Sequence, residues 1–283
     1  DRIRELSRRE EIRPTFDQPE YRRFRAFQSS DEARFIAITV GRLLISSPES
    51  SRTAGDLGFS YSPPRCGGIG RPLWISGAFA LADVIVRSFV RHAWPAAMRG
   101  APDRADRSDI AGGVIDPPHT ADFETDRPGA ARKMSLEVAL SDRHEAQLNA
   151  LGFICPRLCP YTEFSAFYSA PTAKVFVESG ASGRAQDVRM GAMVNYLLCV
   201  CRFAHYVKVI AREWVGSYKT ASDCQHRLQK WIDKYCIVSD GAGYADRARF
   251  PLRRARILVS DSPGKPGAFE CKIQLQPHFQ LDY

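Results

Sequence analysis

Cys201 and His205 stand four residues apart in the stretch CRFAHYVKVIAREWVGSY, residues 201–218. On a helix that spacing puts a thiol and an imidazole on one face, where they can form a nucleophile–base pair or half of a zinc site. Their neighbours oppose both chemistries. Arg202, Lys208 and Arg212 flank the pair and would repel a divalent cation, and no carboxylate or amide nearby in sequence is placed to orient the imidazole. A cationic setting does favour a thiolate, so a thiol- or metal-dependent enzyme built on Cys201 and His205 is one reading. A structural helix with a hydrogen-bonded histidine is the other.

Two further groupings carry ligand-type side chains. DPPHTADFETD, residues 116–126, joins His119 to Asp122, Glu124 and Asp126, donors enough for a metal, although a capped turn explains the same residues. Cys155 and Cys159 bracket three residues rather than two, and no second cysteine or histidine pair lies near to complete a zinc site. GGIG at 67–70 lacks both the spacing and the following Lys-Ser/Thr of a phosphate loop. No GxSxG, HExxH, dinucleotide-binding glycine pattern or paired-carboxylate motif is present. The expectation is a protein that needs no cofactor and works through its surfaces.

Composition narrows the class. The 283 residues can bury one large core or two ordinary ones. The formal charge is +8, but the basic residues are interleaved with acids. The densest cluster, DRARFPLRRAR, holds Arg247, Arg249, Arg253, Arg254 and Arg256. Without a helix-turn-helix, zinc-finger or RNA-recognition pattern it reads as a solvated face or a protein interface ahead of a nucleic-acid site. Eight cysteines in a chain this long, several in apolar contexts, read as free thiols in a reducing cytoplasm. Charges interrupt every apolar run short of the roughly 18 residues a bilayer requires. The charged opening DRIRELSRREEIRPTF is expected to be no secretory signal, and the missing initiator methionine suggests a processed or truncated piece.

The elements that must position these side chains follow from periodicity. Residues 1–30 read as a helical arm followed by extended chain around Pro14 and Pro19. ARFIAITVGRLL, 33–44, reads as a strand buried on both faces. A long Ser/Pro/Gly loop is expected over 46–72, a helix over 76–94, a polar loop over 100–120 and a strand over 132–140. A helix capped by Ser141 or Asp142 should follow, with Gly152 just beyond its end. The region 185–216 is the longest helical segment, with Tyr196, Cys199, Val200, Phe203, Val207, Ile210 and Trp214 on one broad face and Arg202, His205, Lys208 and Arg212 opposite. Such a helix is expected to be buried on most sides. A second helix over 222–235 carries Leu228, Trp231, Ile232 and Tyr235. The end is a hairpin: Phe269, Cys271, Ile273 and Leu275 alternate with Glu270, Lys272, Gln274 and Gln276 after a Pro/Gly turn. The expected fold is α/β (α+β), a mixed sheet with packed helices and a C-terminal β-hairpin. An arm at 1–30 precedes a core domain at 31–283, which a subdivision near 150 could split.

Long co-linear stretches resemble a known family. CRFAHYVKVIAREWVGSYKTASDCQHRLQKWIDKY followed by FPLRRARILVSDSPGKPGAFECKIQLQPHFQL is similar to the large sheath subunit of the bacterial type VI secretion system. That family's pattern is an SRFAHYLKV helix, a GSF step, a WLNRWI-like helix, then PL, PGKPG and PHFQL. DEARFIAITVGRLL, LWISGAFALA, FETD, ALSDRHEAQLNALGFI and EFSAFYSA agree upstream, in order, from about residue 15. The resemblance implies a tail-sheath-like protomer with no catalytic or metal residues. Its partners would be a small sheath subunit, neighbouring large subunits, the hexameric inner-tube protein, the baseplate and an AAA+ ATPase that disassembles the contracted sheath. No membrane insertion and no nucleic acid are expected. It also implies strands donated between protomers, a form of β-augmentation. The expected contact residues are Arg253, Arg254, Arg256, Glu270, Lys272, Gln274 and Gln276, with Arg202, Phe203, His205, Tyr206 and Lys208 as the signature of a core helix. Family chains extend further at both ends, and PTAKVFVESGAS replaces a cysteine- and lysine-rich stretch.

Overall fold

The computed structural model describes residues 2–46, 73–101, 110–116, 135–160, 162, 164–175, 191–214, 220–238, 241–265 and 267–278. They fall into two compact units, Asp1–Val86 with Met98–Val194, and Arg87–Ala97 with Asn195–Tyr283. Both combine helices with small sheets, an α/β architecture.

Unit 1 opens with the expected helix, α1 (Arg2–Leu6), and stays helical where extended chain is expected, in α2 (Arg13–Phe16), a 3-10 turn at Pro19–Tyr21 and α3 (Arg22–Ser29). Pro14 lies in the first turn of α2 and Pro19 opens the 3-10 turn. Proline's fixed φ suits a first turn, and its missing N–H would have gone unbonded there anyway. These helices are tied down. Ile12 N–H donates to Gln147 Oε1 at 2.7 Å, Gln147 Nε2 to the Glu10 carbonyl at 3.2 Å and Gln28 Nε2 to the Leu151 carbonyl at 2.7 Å. Ile12, Leu140, Leu148, Phe153 and Cys155 form the core beneath, with Phe24 stacked on Phe153 at 5.6 Å.

The single strand expected over 33–44 is broken. A 3-10 turn at Glu32–Phe35 precedes β1 (Ile38–Thr39) and β2 (Arg42–Ser46), and Gly41 between them has φ +97°. That left-handed conformation favours glycine and ends the straight run. Phe35 and Ile36 are 65% and 41% exposed, so this stretch is not buried on both faces. β2 pairs antiparallel with β3 (Leu73–Ser76) and bridges Leu136 through Leu43. That bridge is what stands in the described part of the expected 132–140 strand. After α4 (Gly77–His92), β4 (Val114–Ile115) leads to α5 (Asp142–Ala150), whose cap is Ser141, with Gly152 beyond it at φ +77°. β5 (Phe153–Ile154) lies parallel to β1, and β6 (Arg157–Leu158) and β7 (Ser165–Ala166) complete a β4–β7–β6 sheet. Gly113 tolerates no side chain, because a Cβ there would lie 2.3 Å from the Phe167 carbonyl oxygen.

Glu137 is the charged centre beside β2. Its side chain is 2% exposed and takes a fork from Arg42, Nε at 2.6 Å and Nη2 at 2.5 Å, with Arg4 at 3.6 Å. The Arg42 hydrogen bonds hold its carboxyl below the usual range against the opposing effect of burial. A carboxyl with a depressed folded pKa stabilises the fold above its unfolded value of about 4.3 and loses that contribution as pH falls through the folded value. Glu137→Gln is therefore expected to lower stability at pH 7 by about 1–2 kcal/mol, discounted because Arg42 is half exposed. The gap should close in acid. Urea unfolding at pH 7 and pH 3 checks this; a gap of the same size at both would show that the ion pair is not its source.

Unit 2 is built around α6 (Val194–Glu213) and α7 (Ala221–Ile232), the latter continuing as a 3-10 turn to Tyr235. Thr220 and Asp223 form a capping box at the start of α7. Then come α8 (Tyr244–Arg249), β8 (Leu252–Asp261) and β9 (Phe269–Pro277), the antiparallel hairpin that the alternation predicts. The buried core is Trp94, Cys199, Phe203, Val207, Leu228, Ile232, Leu252 and Ile257.

Candidate functional site

The expected functional residues occupy two places in unit 2. On α6 the side chains separate sharply by burial. Phe203 is fully buried, stacked on Trp94 at 4.3 Å with Tyr235 and Trp231 edge-on. Arg202 is half-buried, its guanidinium lying over Phe89 at 4.5 Å, Trp94 at 4.6 Å and Tyr206 at 5.4 Å. It also donates to the Ala93 carbonyl and, at 3.2 Å, to the Tyr206 hydroxyl. Ala93 follows the last residue of α4 with φ +61°, the left-handed turn by which helices commonly end. Arg202 is thus a cation–π and carbonyl clamp on that turn, not part of an exposed stripe.

Cys201, His205, Lys208 and Arg212 are exposed. The helix is less enclosed than its composition suggests: Val200, Tyr206 and Val209 are 44%, 38% and 37% exposed. α6 is long and apolar enough to cross a membrane by length and composition, with a mean hydropathy of 1.3 over 18 residues. Its Cys199, Phe203 and Val207 nonetheless pack into the core of unit 2, as a core helix does. Among the described residues no group of three His, Cys, Asp or Glu side chains could hold a metal ion. His119, Asp122, Glu124 and Asp126 lie outside those residues.

The cysteines of the described chain are free. Burial pushes the Cys199 thiol up to about 12 and that of Cys236 to about 11, and raises Cys155 and Cys159 as well. Thiols held protonated in this way behave as small apolar groups.

The second place is the hairpin. Arg254 and Arg256 of β8 share a solvent face with Glu270, Lys272, Gln274 and Gln276 of β9, since Arg254 pairs with Gln276, Arg256 with Gln274, Leu258 with Lys272 and Ser260 with Glu270. Arg253 is half-buried, and Arg247 and Arg249 lie on α8. The basic run is therefore divided among several directions. The turn closes with Ser262 N–H donating to the Ala268 carbonyl at 2.8 Å and with Gly264 and Gly267 at φ +75° and +79°.

Sequence reasoning missed Gln225 and Gln229, half-buried one step round α7 from its buried seam of Cys224, Leu228 and Ile232. Both reach the backbone of β8. Their only signal was amides at i and i+4 beside that seam. It also missed the cage that Glu145, Asp142 and Tyr168 form around Arg157.

The family model described as EvpB/VC_A0108, tail sheath N-terminal domain, matches residues 1–174, and the EvpB/VC_A0108, tail sheath gpW/gp25-like domain matches residues 184–283. The chain is 32% identical to the type VI secretion system sheath protein TssC1 of Pseudomonas aeruginosa over 283 aligned positions, which cover 98% of this chain and 55% of that protein. It thus spans about half the length of that curated relative.

Proposed function

Because the chain belongs to the large-subunit family of the type VI secretion system sheath, we propose that it is a structural, non-enzymatic subunit of a contractile sheath. It assembles with a small sheath subunit and with further large subunits into a helical tube around a hexameric inner tube. Contraction of that tube, anchored at a baseplate in the bacterial cytoplasm, drives effector delivery, and an AAA+ ATPase recycles the contracted form. Neither a membrane nor a nucleic acid takes part. The observation that carries this reading is the pair of sheath-family matches that together run through both units. The polar face formed by Arg254, Arg256, Glu270, Lys272, Gln274 and Gln276 meets a neighbouring protomer, joined by β-augmentation at the hairpin. Exposed His205 and Lys208 face the inner tube or an adjacent protomer, while Phe203 and Arg202 hold α6 in place.

The test is co-expression with the cognate small sheath subunit, followed by negative-stain electron microscopy. Tubes or stable heterodimers are expected. A chain that stays monomeric beside that subunit, even when extended to the length of the TssC1 relative, would overturn the proposal.

A further inference from the structure

Two glutamines of α7 take the place that a neighbouring strand would occupy beside β8. Gln225 Oε1 accepts the Val259 N–H at 2.9 Å, Gln229 Oε1 accepts the Ile257 N–H at 2.8 Å, and Gln229 Nε2 donates to the Ala255 carbonyl at 3.0 Å. In an antiparallel ladder alternate residues turn their N–H and C=O groups to alternate sides. Ala255, Ile257 and Val259 thus turn theirs away from β9. The match is geometric: four helix residues rise about 6 Å and two strand residues about 6.8 Å, so an i, i+4 pair of amides meets an i, i+2 pair of peptide groups. At the start of the strand the same edge is occupied by Cys236, which bridges Leu252, and by the Ile237 N–H, which donates to the Leu252 carbonyl at 3.0 Å.

Among the described residues β9 has no such cover. Among the described residues its one strand neighbour is β8, and the same alternation turns the peptide groups of Cys271, Ile273 and Leu275 outward. Its core-facing side is also incomplete. Phe269 is 40% exposed and Cys271 is exposed, whereas Ile257 on the same side of β8 is 1% exposed. On the solvent side Arg254, Arg256 and Lys272 outnumber Glu270. A strand laid along β9 would therefore place apolar residues beside Cys271 and Phe269 and acidic residues beside Lys272.

We propose that Gln225 and Gln229 are edge-selecting residues: they seal β8, so that this sheet is extended along β9 alone, by a segment of a neighbouring sheath protomer whose residues alternate between apolar and acidic. The identity of the donor rests on the sheath reading; the sealing of β8 rests on the three hydrogen bonds. Unsealed, a two-stranded sheet offers two edges, and pairing at the wrong one places the donor on the wrong side of the hairpin.

Amide hydrogen exchange of the full chain at pH 7, resolved by residue, tests this, with a blocked octapeptide of alternating valine and glutamate as the probe strand. In the free protein, Gln225→Leu should speed exchange at Val259 by about tenfold, the loss of one net hydrogen bond. Gln225→Glu, which keeps the accepting oxygen, should leave it protected, and Gln225→Asn, one methylene short, should release it without adding an apolar group. The peptide should slow Cys271, Ile273 and Leu275 in the wild type, and Ile257 and Val259 as well once Gln225 and Gln229 are both leucine. Unchanged exchange at Val259 in the Leu and Asn variants, or protection of Ile257 and Val259 by peptide in the wild type, would overturn the sealing. Peptide that protects neither edge would overturn the choice of an acidic–apolar strand. Tube formation on co-expression decides the sheath reading separately, so the two failures are distinguishable.

Discussion

Replacing Arg157 with alanine is expected to cost unit 1 about 3–5 kcal/mol, the range for removing one member of a buried ion pair. Arg157 has a side chain 10% exposed, and its Nε lies 3.1 Å from Oε2 of Glu145, whose own side chain is 5% exposed. Asp142, 89% exposed, pairs with Nη1, and the guanidinium lies 4.1 Å over the ring of Tyr168. Burial alone would lower the arginine's pKa; the Asp142 hydrogen bond and the Glu145 charge outweigh it and raise it. The neighbours register the low dielectric too, since burial pushes Tyr168 up to about 12 and raises the thiol of Cys155. Alanine would leave a buried carboxylate facing a cavity instead of a cation. The partner experiment is Arg157→Leu with Glu145→Leu, which removes both charges and should restore most of the loss, giving a coupling of roughly 2–3 kcal/mol in a double-mutant cycle. Urea unfolding followed by circular dichroism measures it. A loss below about 1 kcal/mol for Arg157→Ala would mean that water reaches Glu145 and carries its charge.

That cage shows why part of unit 1 was hard to read from sequence. Asp142, Glu145 and Arg157 look like ordinary surface charges on a helix and the chain beyond it. The burial of Glu145 and Arg157 is decided by where β6 and β7 place the arginine, which no local pattern records. The chain around Pro14 and Pro19 departs from expectation for a different reason. Two prolines point to extended chain, but Pro14 and Pro19 each sit in the opening turn of a helix, where the missing N–H costs nothing. In 33–44 the apolar alternation was real, yet Gly41 at φ +97° cut it into two short strands that join different sheets. Periodicity cannot report a single residue's φ.

Unit 2 was more legible because its signals are local. The Phe269–Leu275 alternation and the Pro/Gly turn fix a hairpin by themselves, and the observed register pairs Ile257 with Ile273 and Arg256 with Gln274. The 3.6-residue spacing picked out Cys199, Phe203 and Val207, all buried. It could not tell that Arg202 folds back over three rings or that Val200 lies open, since both depend on what packs against α6. The edge-sealing glutamines were hidden for the same reason: Gln229 and Ile257 are far apart in the chain, and only the helix-on-strand register brings amide to amide.

Phe203→Ala is expected to lower the stability of unit 2 by about 3–5 kcal/mol, the cost of a large buried aromatic replaced by a methyl group. Part of that is area and part is shape. The ring is fully buried, stacked on Trp94 at an interplanar angle of 20° and met edge-on by Trp231 and Tyr235; such aromatic pairs add about 0.5–1.5 kcal/mol each beyond burial. The cavity would also loosen Trp94, whose face supports Arg202 and through it the Ala93 turn, so little collapse can offset the loss. Two residues along the same helix, His205→Ala is expected to change stability by no more than about 0.5 kcal/mol, as is Cys201→Ser, because both side chains are exposed. Urea unfolding followed by tryptophan fluorescence reads all three variants, since Trp94 and Trp231 border the Phe203 ring. The contrast separates the two readings of CRFAHYVKV. A helix whose stability resides in Phe203, with Cys201 and His205 dispensable both to the fold and to co-assembly with the small sheath subunit, is a structural helix that carries polar groups on its open face. Loss of co-assembly in Cys201→Ser or His205→Ala, with stability intact, would place the small sheath subunit on that face rather than the inner tube or an adjacent large subunit.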